Sequence, residues 1–213
     1  DIFGKKSQNG LVTIPVVAGD KIIFKGDATT YGVMNESSVP DSCHFGSDCK
    51  FNIFGNIMSL CYEDDFSDKK TLTHECQFSS LFRDDNSCRV VDASNLSLPA
   101  TALTESCYRT FFHSCSDLVS GPQLPATKLA PNCYKSFYYN CSSLVSVGDL
   151  KNVQMYYRSC QFMFYKCSSL KKAPKLPSTK LAEACYQQMF RDCSSLTEAP
   201  KLPATKLYDS CYF

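Results

Sequence analysis

The stretch 124-LPATKLAPNCYKSFYYNCSSL-144 decides the fold, because the chain repeats it at a fixed period. Related copies begin at Leu98 (LPATALTESCYRTFFHSCSDL) and Leu176 (LPSTKLAEACYQQMFRDCSSL), and a shorter copy, LPATKLYDSCYF, begins at Leu202. The residues that end each copy recur every 26 positions, at Cys115, Cys141, Cys167 and Cys193 and at Leu118, Leu144, Leu170 and Leu196. A constant period of about 20 to 50 residues is typical of a solenoid, in which each repeat buries its apolar face against the next.

Each repeat predicts a strand followed by a helix. The pattern Leu-x-x-x-Pro-x-Leu-Pro, as in Leu196–Pro203, favours a short strand that pairs in parallel with the next repeat and ends at proline. The following apolar residues are four, four, one and three positions apart, which is typical of one helical face. In the third repeat these residues are Leu129, Cys133, Phe137, Tyr138 and Cys141. We therefore predict an α/β solenoid with one short parallel strand and one short helix per 26-residue repeat.

The chain divides into two regions. Residues 1–71 predict a small β-rich capping region, and residues 72–213 hold the repeats. Repeat 1 (72–97) is degenerate, with four extra residues between Phe82 and Leu98, as terminal repeats often are. Repeats 2 to 5 begin at residues 98, 124, 150 and 176, and an incomplete repeat 6 begins at residue 202. The incomplete repeat predicts an open strand edge, which we expect a continuation of the chain or self-association with another subunit to cover.

Two further features concern local structure. LVTIPVV and KIIFKG flank a turn at residues 18–20 and predict a β-hairpin, residues 33–50 read as a loop, and KFNIFGNIMSLCY predicts a strand with a bulge or bend at Gly55. Repeat 4 is the least regular, with Ser159 and Cys160 where its neighbours have Cys and Tyr. Its length is unchanged, so we expect the stack to continue, and the sequence leaves open whether the irregularity is a site or drift.

The LPAT-x-Leu, CYxxxF and CSSL blocks closely resemble the BspA-like leucine-rich repeats of bacterial surface proteins, especially those of gut and oral Bacteroides relatives. The upstream stretches AGDKIIFKGDATTYG and KFNIFGNIMSL resemble the β region that often precedes such repeats. The resemblance implies a right-handed superhelix, a cell-surface or secreted location, and a role in adhesion or recognition. It transfers no ligand and no binding residues, and similar repeats occur in phage tail and protist surface proteins.

Charge and hydropathy restrict the classes of partner. Residues 1–97 hold 9 Lys/Arg against 14 Asp/Glu (net −5), and residues 98–213 hold 13 against 7 (net +6). This split favours anionic partners at the repeats, but the positive charge is too diffuse, and too little interleaved with aromatic residues, to predict nucleic-acid binding. No apolar run reaches the roughly 18 residues that a transmembrane helix needs.

The 14 cysteines do not predict a disulfide framework. Eight fall in two repeat columns that are eight residues apart, about 12 Å on a helix, which is too far for a bridge. We expect buried free thiols there, and disulfides remain open only for Cys43, Cys49, Cys61, Cys76, Cys88 and Cys160. A zinc site from Cys43, His44 and Cys49 with Cys61, His74 and Cys76 has the right residue types but lacks a recognised spacing. A calcium site from Glu63, Asp64, Asp65 and Asp68 lacks the EF-hand pattern. We predict no cofactor.

Two rows of outward side chains are the candidate ligand-binding surface. Their members recur at 26-residue spacing: Gln123, Asp149, Lys175 and Lys201 in row A, and Lys128, Gln154, Lys180 and Lys206 in row B. A lysine row suits an anionic glycan or an acidic protein patch, although lysines also keep a repeat surface soluble.

We therefore predict a non-catalytic recognition or adhesion module. The alternatives are a structural assembly component, such as a phage tail or appendage protein, and a hydrolase built on the β-rich region. His113 aligns with Tyr139, Tyr165 and Arg191, and this variation predicts an exposed position rather than a catalytic base.

Overall fold

The computed structural model describes residues 14–34, 40–83, 88–151 and 154–212. Its regular elements are β1 (Gly32–Met34), β2 (Pro40–Ser42), β3 (Phe51–Asn56), α1 (Ser59–Tyr62) and β4 (Val90–Ser97). β1 pairs with β2 antiparallel, and β3 pairs with β4 parallel. Within these described residues α1 is the only helix, so the helix predicted for each repeat is not formed.

Each predicted helix is instead a series of overlapping turns, which we call a turn segment. The turn segments span residues 75–82, 105–114, 131–140, 157–166 and 183–192. Alternate N–H groups bond within the segment, as when Arg109 N–H donates to the Ser106 carbonyl at 3.1 Å. The N–H groups between them bond to the next repeat, as when Phe112 N–H donates to the Phe137 carbonyl at 2.8 Å. The backbone therefore satisfies its donors partly between repeats, as a sheet does.

Left-handed residues explain why the helices do not form. Every fourth residue of the turn segments has a positive φ, for example Ser106 (54°), Thr110 (55°) and Ser114 (64°), and the series continues in the following repeats. An α-helix requires a negative φ at every residue, so a left-handed residue at every fourth position interrupts continuous helical hydrogen bonding. The apolar spacing that predicts a helix fits a four-residue turn period equally well over one turn segment.

The repeats contact one another in a constant register. In repeats 2 to 5 a turn-segment N–H bonds to a carbonyl at the same offset in the next repeat, as Tyr134 does to Ser159 at 2.9 Å and Phe112 does to Phe137 at 2.8 Å. From repeat 1 the step is longer, as between Phe82 and Phe111, and the difference equals the four extra residues in the sequence. The insertion in repeat 1 therefore leaves the register of the stack unchanged.

The predicted strands are shortened between most repeats. Parallel pairing is reduced to single bridges such as Ala102↔Lys128, Ser120↔Ser146 and Gln154↔Lys180, and residues 196–203 form no strand. Among the described residues, the longer parallel pairing is between β3 and β4 at the start of the stack. These strands have six and eight residues.

Aromatic rings stack through the core in two columns. In the first, adjacent ring centroids lie 5.4–5.7 Å apart, and the members are Phe45, Phe82, Phe112, Tyr138, Phe164 and Phe190. The second contains Tyr31, Phe78, Tyr108 and Tyr134, is interrupted at Cys160, and resumes at Tyr186 and Tyr212. Such pairs contribute about 0.5–1.5 kcal/mol each beyond their buried area, so a constant side-chain register is strongly favoured.

The cysteine columns also bond to the backbone. The Sγ atoms of Cys141, Cys167 and Cys193 each lie 3.0 Å from a carbonyl oxygen of the preceding repeat, at Phe112, Tyr138 and Phe164. These thiols donate to carbonyls at one fixed offset, so they do more than fill space. All 14 cysteines are free thiols, including the six for which the sequence leaves disulfides open.

The N-terminal region continues both aromatic columns. Tyr31 N–H donates to the Gln77 carbonyl at 2.7 Å and Phe45 N–H to the Leu81 carbonyl at 2.8 Å, and each ring stacks on repeat 1. The antiparallel β1–β2 pair lies between these two contacts in the chain. Part of the predicted loop at residues 33–50 is therefore paired strand.

The other N-terminal predictions are met only in part. A turn joins Val17 and Asp20 through an N–H to carbonyl bond of 3.1 Å, but residues 14–31 form no strands, and residues 11–13 of the predicted hairpin lie outside the described residues. The strand predicted from Lys50 is β3, in which Gly55 has a φ of 94° near two register shifts, and its continuation at MSLCY is α1.

Candidate functional site

The predicted rows are exposed, and the structure brings some of their members together. In row A, Lys175 Nζ lies 3.2 Å from an Asp149 carboxylate oxygen, and the Lys175 N–H donates to the same side chain at 2.9 Å. These bonds, chiefly the one from the backbone N–H, hold the pKa of Asp149 below its usual range. Gln123 and Lys201 are exposed in the same row. Row A is therefore partly neutralised and is not a continuous cationic strip.

Row B is not a continuous cationic strip either. Gln154 and Lys180 occupy adjacent positions through a parallel bridge, Lys128 is exposed one repeat earlier, and Lys206 Nζ lies 5.2 Å from the Tyr208 ring centroid. The uncharged Gln154 separates Lys128 from Lys180 along the row. Exposed ammonium groups in such a row interact with an anion only weakly in water.

The outer face of the turn segments presents a second kind of surface. Within each segment two inward residues alternate with two outward ones, as Cys107 and Tyr108 are buried and Arg109 and Thr110 are not. The outward positions form columns at the repeat spacing. In one column the rings of His113, Tyr139 and Tyr165 stack at 4.6 and 4.8 Å, and the Arg191 guanidinium lies 5.8 Å from the Tyr165 centroid. His113 is thus a half-buried stacked side chain, not the exposed helical residue that the sequence predicts.

Three cations meet on this outer face, which we call the cationic cluster: Arg109 of repeat 2, Lys135 of repeat 3 and Arg158 of repeat 4. Arg109 and Lys135 occupy the same column in adjacent repeats, and the Thr110 N–H donates to the Lys135 carbonyl at 2.9 Å. Arg158 stands in a neighbouring column, which holds Asn132 and Ala184 in the adjacent repeats, and its charge acts on both Arg109 and Lys135. All three side chains are half-buried.

The three cations influence one another electrostatically. The pKa of Lys135 is lowered to about 8, chiefly by burial and in addition by the positive charges of Arg109 and Arg158. Burial likewise lowers the pKa of Arg109, with Arg158 again contributing. Among the described residues, no carboxylate forms an ion pair with Lys135 or Arg158. Positive charge is therefore concentrated here in a partly desolvated place, where its interaction with an anion is stronger than at the exposed rows.

Polar and aromatic groups border the cationic cluster. The Arg158 guanidinium lies 4.7 Å from the Tyr157 ring centroid, and Tyr156 and Tyr157 are 37% and 39% exposed. The Lys135 column continues with Gln161 and Gln187, whose side-chain amides are hydrogen-bonded to each other. The buried Arg158 Nε and Gln161 Oε1 atoms have no hydrogen-bond partner among the described residues.

The candidate metal sites do not assemble. Cys43, His44 and Cys49 are all exposed, and within the described residues no group of three potential metal ligands comes together. In the acidic loop Lys69 Nζ lies 3.2 Å from Asp65 and 3.6 Å from Asp68, and Asp64 is paired with Lys25. His74 Nδ1 is 2.8 Å from the Thr73 hydroxyl. The carboxylates of Asp64, Asp65 and Asp68, which the calcium site would use, form ion pairs with lysines instead.

The end of the stack carries an apolar surface. A cavity of about 410 Å³ lies between repeats 5 and 6, lined by residues that include Leu176, Tyr186 and Tyr212. Leu202 and Leu207 are 48% and 63% exposed, whereas their counterparts one repeat earlier, Leu176 and Leu181, are buried.

Comparison with known proteins adds no relative to this description: no family model, no curated protein and no solved structure matches the chain. Within the described residues, no helix has the length and apolar character needed to cross a membrane.

The cationic cluster is not visible along any single column of the sequence, because its members stand in two columns. The available signal was Arg158, a cation in the irregular repeat 4 at a position held by Ser106, Asn132 and Ala184 elsewhere.

Proposed function

We propose that this chain is a non-catalytic recognition module at a cell surface or in secreted form, built as a solenoid of BspA-like leucine-rich repeats. In this proposal the lateral surface of the stack binds an anionic glycan or a protein. The turn segments take the place of the helices that the sequence predicts, and the N-terminal region caps the first repeat. The repeated register is the property that suits such a module, because it displays chosen side chains in fixed rows.

One observation carries the proposal. The outward side chains of successive repeats are held at nearly constant spacing, as in the stack of His113, Tyr139 and Tyr165 at 4.6 and 4.8 Å. A rigid array of this kind requires little ordering on binding, so more of the contact energy contributes to affinity. The columns vary in chemistry from repeat to repeat, which provides different surfaces without changing the core.

A binding screen of the purified chain tests the proposal. The chain is immobilised and exposed to sulfated, carboxylated and neutral oligosaccharides and to host and bacterial surface proteins. We expect saturable binding to at least one ligand, reduced by substitutions on the outer face and unchanged by His44→Ala and His74→Ala. Failure to bind any of these ligands, together with turnover of a substrate that depends on either histidine, would favour the hydrolase alternative.

A further inference from the structure

We propose that the cationic cluster of Arg109, Lys135 and Arg158 binds an oxyanion group, sulfate or carboxylate, of an acidic glycan. This inference rests on the proposed recognition function and deepens it by assigning the ligand class and the contact residues. It also moves the binding surface from the lysine rows to the outer face of the turn segments.

The first argument is the gathering of like charges. Repeats 2, 3 and 4 each contribute one cation to the same half-buried place, and the two charged groups that shift the pKa of Lys135 are both guanidinium groups. Mutual repulsion and partial desolvation make this arrangement unfavourable in the free protein. A bound anion removes the repulsion, so the cluster is preorganised for a negatively charged partner.

The second argument is the geometry of the donors. Guanidinium groups present forked N–H donors that match the oxygens of sulfate and carboxylate, and an ammonium group adds a point charge. The Arg158 Nε, buried and without a hydrogen-bond partner among the described residues, is a donor that such an oxyanion can satisfy. Tyr157 lies 4.7 Å from the Arg158 guanidinium and restricts its orientation.

The third argument selects a glycan over other polyanions. Tyr156 and Tyr157 present partly exposed rings beside the cluster, and an aromatic ring can pack against the apolar face of a sugar. The cationic patch comprises three residues, and the predicted rows are interrupted by the acidic Asp149 and the uncharged Gln154. The cluster is therefore suited to one or two anionic groups, whereas a nucleic acid would need a longer basic track along its phosphates.

The repeats themselves supply matched variants. Gln161 and Gln187 occupy the column of Lys135, so Lys135→Gln places a side chain that this fold already accepts there. Asn132 occupies the column of Arg158, so Arg158→Asn is a second, independent variant. Lys180→Gln is the control, because it removes one positive charge from exposed row B, where Gln154 stands in the preceding repeat. Melting temperatures establish that each variant is folded.

Calorimetric titration with defined oligosaccharides tests the site. The probes are a sulfated heparin octasaccharide, a carboxylated hyaluronan octasaccharide, a neutral chitin oligomer and inorganic sulfate. We expect at least one acidic octasaccharide to bind, and Lys135→Gln and Arg158→Asn each to weaken it by about tenfold or more, since each removes a charge-assisted contact. Lys180→Gln changes the affinity by less than about twofold. The sulfate and carboxylate arms identify which oxyanion the cluster prefers.

The pH dependence provides a readout that a purely structural role would not move. Because the pKa of Lys135 is about 8, the octasaccharide affinity should fall as the pH rises through 8, and Lys135→Gln should remove that dependence. Near the cluster, the other titratable groups among the described residues include Cys76, which interacts with Glu75, Arg109 and Glu105, and Tyr157, which lies against Arg158. Burial raises the pKa of the Cys76 thiol, so it does not produce a change at pH 8.

Three results would overturn the site. The first is equal weakening by Lys180→Gln and Lys135→Gln, which would indicate diffuse attraction. The second is tighter binding of single-stranded DNA or an acidic peptide than of either octasaccharide. The third is the absence of octasaccharide binding; if the chain still binds a surface protein and Lys135→Gln leaves that binding unchanged, the recognition function stands without this site. If nothing binds, the recognition function fails as well.

Discussion

Replacing Tyr138 with phenylalanine tests the packing of the first aromatic column. Tyr138 is fully buried between Phe112 and Phe164, with ring centroids 5.7 and 5.4 Å away, and its hydroxyl has no hydrogen-bond partner among the described residues. A Cβ placed on Gly121 would overlap the hydroxyl oxygen, so the hydroxyl is packed closely against the Gly121 backbone. We therefore expect Tyr138→Phe to retain the stack and remove an unsatisfied polar group.

The magnitude follows from the cost of that group. An unpartnered buried hydroxyl costs about 1–3 kcal/mol, and the lost packing of one oxygen offsets part of the gain. We expect the free energy of unfolding to rise by about 1 kcal/mol, which corresponds to about 2–4 °C in melting temperature for a chain of this size. Chemical denaturation followed by fluorescence measures the free energy, and scanning calorimetry measures the transition temperature.

The control is Tyr139→Phe, which alters a half-buried hydroxyl on the outer face and should change stability by less than about 0.5 kcal/mol. A loss of stability in Tyr138→Phe that is larger than the change in this control would refute the reasoning. Such a loss would mean that the hydroxyl forms a hydrogen bond in the folded chain and that the column is packed differently.

Three other predictions address the backbone, the thiols and pH. Lys166 is exposed with a φ of 61°, so Lys166→Gly should raise the free energy of unfolding by about 0.5–1 kcal/mol, whereas Lys171→Gly, at an exposed lysine without a positive φ, should lower it in the same denaturation assay. A thiol-reactive dye should modify the exposed Cys43 and Cys49 rapidly in the native chain and all 14 cysteines after denaturation; a denatured total below 14 would indicate disulfides. Hydrogen bonds from Lys50 and Arg89 hold the pKa of Asp117 below its ordinary value. Asp117 therefore stabilises the fold at pH values above its unfolded pKa of about 4, and this stabilisation is lost as the pH falls through its folded pKa. Asp117→Asn should lower the free energy of unfolding by less than about 1 kcal/mol at neutral pH and flatten the acid part of the stability profile.

The repeat period and the inward side chains could be predicted from the sequence because burial imposes them directly. Tyr134, Phe137, Tyr138 and Cys141 face the core as the pattern indicates, since each is surrounded by its counterparts one repeat away. This part of the fold depends only on which positions are apolar and on the constant spacing.

The backbone of the same segments could not be predicted from apolar periodicity. A helix of about 3.6 residues per turn and a turn series of four place the same side chains inward over one turn segment. The distinguishing signal is weaker: Asn132, Ser136 and Asn140 stand at every fourth position, and asparagine accepts a left-handed φ more readily than most residues. The series also places Phe162 and Gln188 there, which the repeated hydrogen bonds between repeats must hold in place.

The cationic cluster could not be predicted along single columns of the sequence, although Arg158 is an unusual residue in its column. Its members come from three repeats and two columns, so a search at one 26-residue offset does not bring Arg158 together with Lys135. The lysine rows could be predicted because they follow one offset, and the same offset places Asp149 next to Lys175, with which it forms an ion pair.

Scalar couplings across hydrogen bonds test the central claim most directly. A long-range amide-to-carbonyl correlation spectrum of the isotope-labelled chain should connect Phe112 N–H to the Phe137 carbonyl and Tyr134 N–H to the Ser159 carbonyl, each in the following repeat. Correlations from these same amides to carbonyls four positions earlier in the chain would show α-helices in place of the turn segments. That result would contradict the register on which the columns, the cationic cluster and the proposed recognition surface all depend.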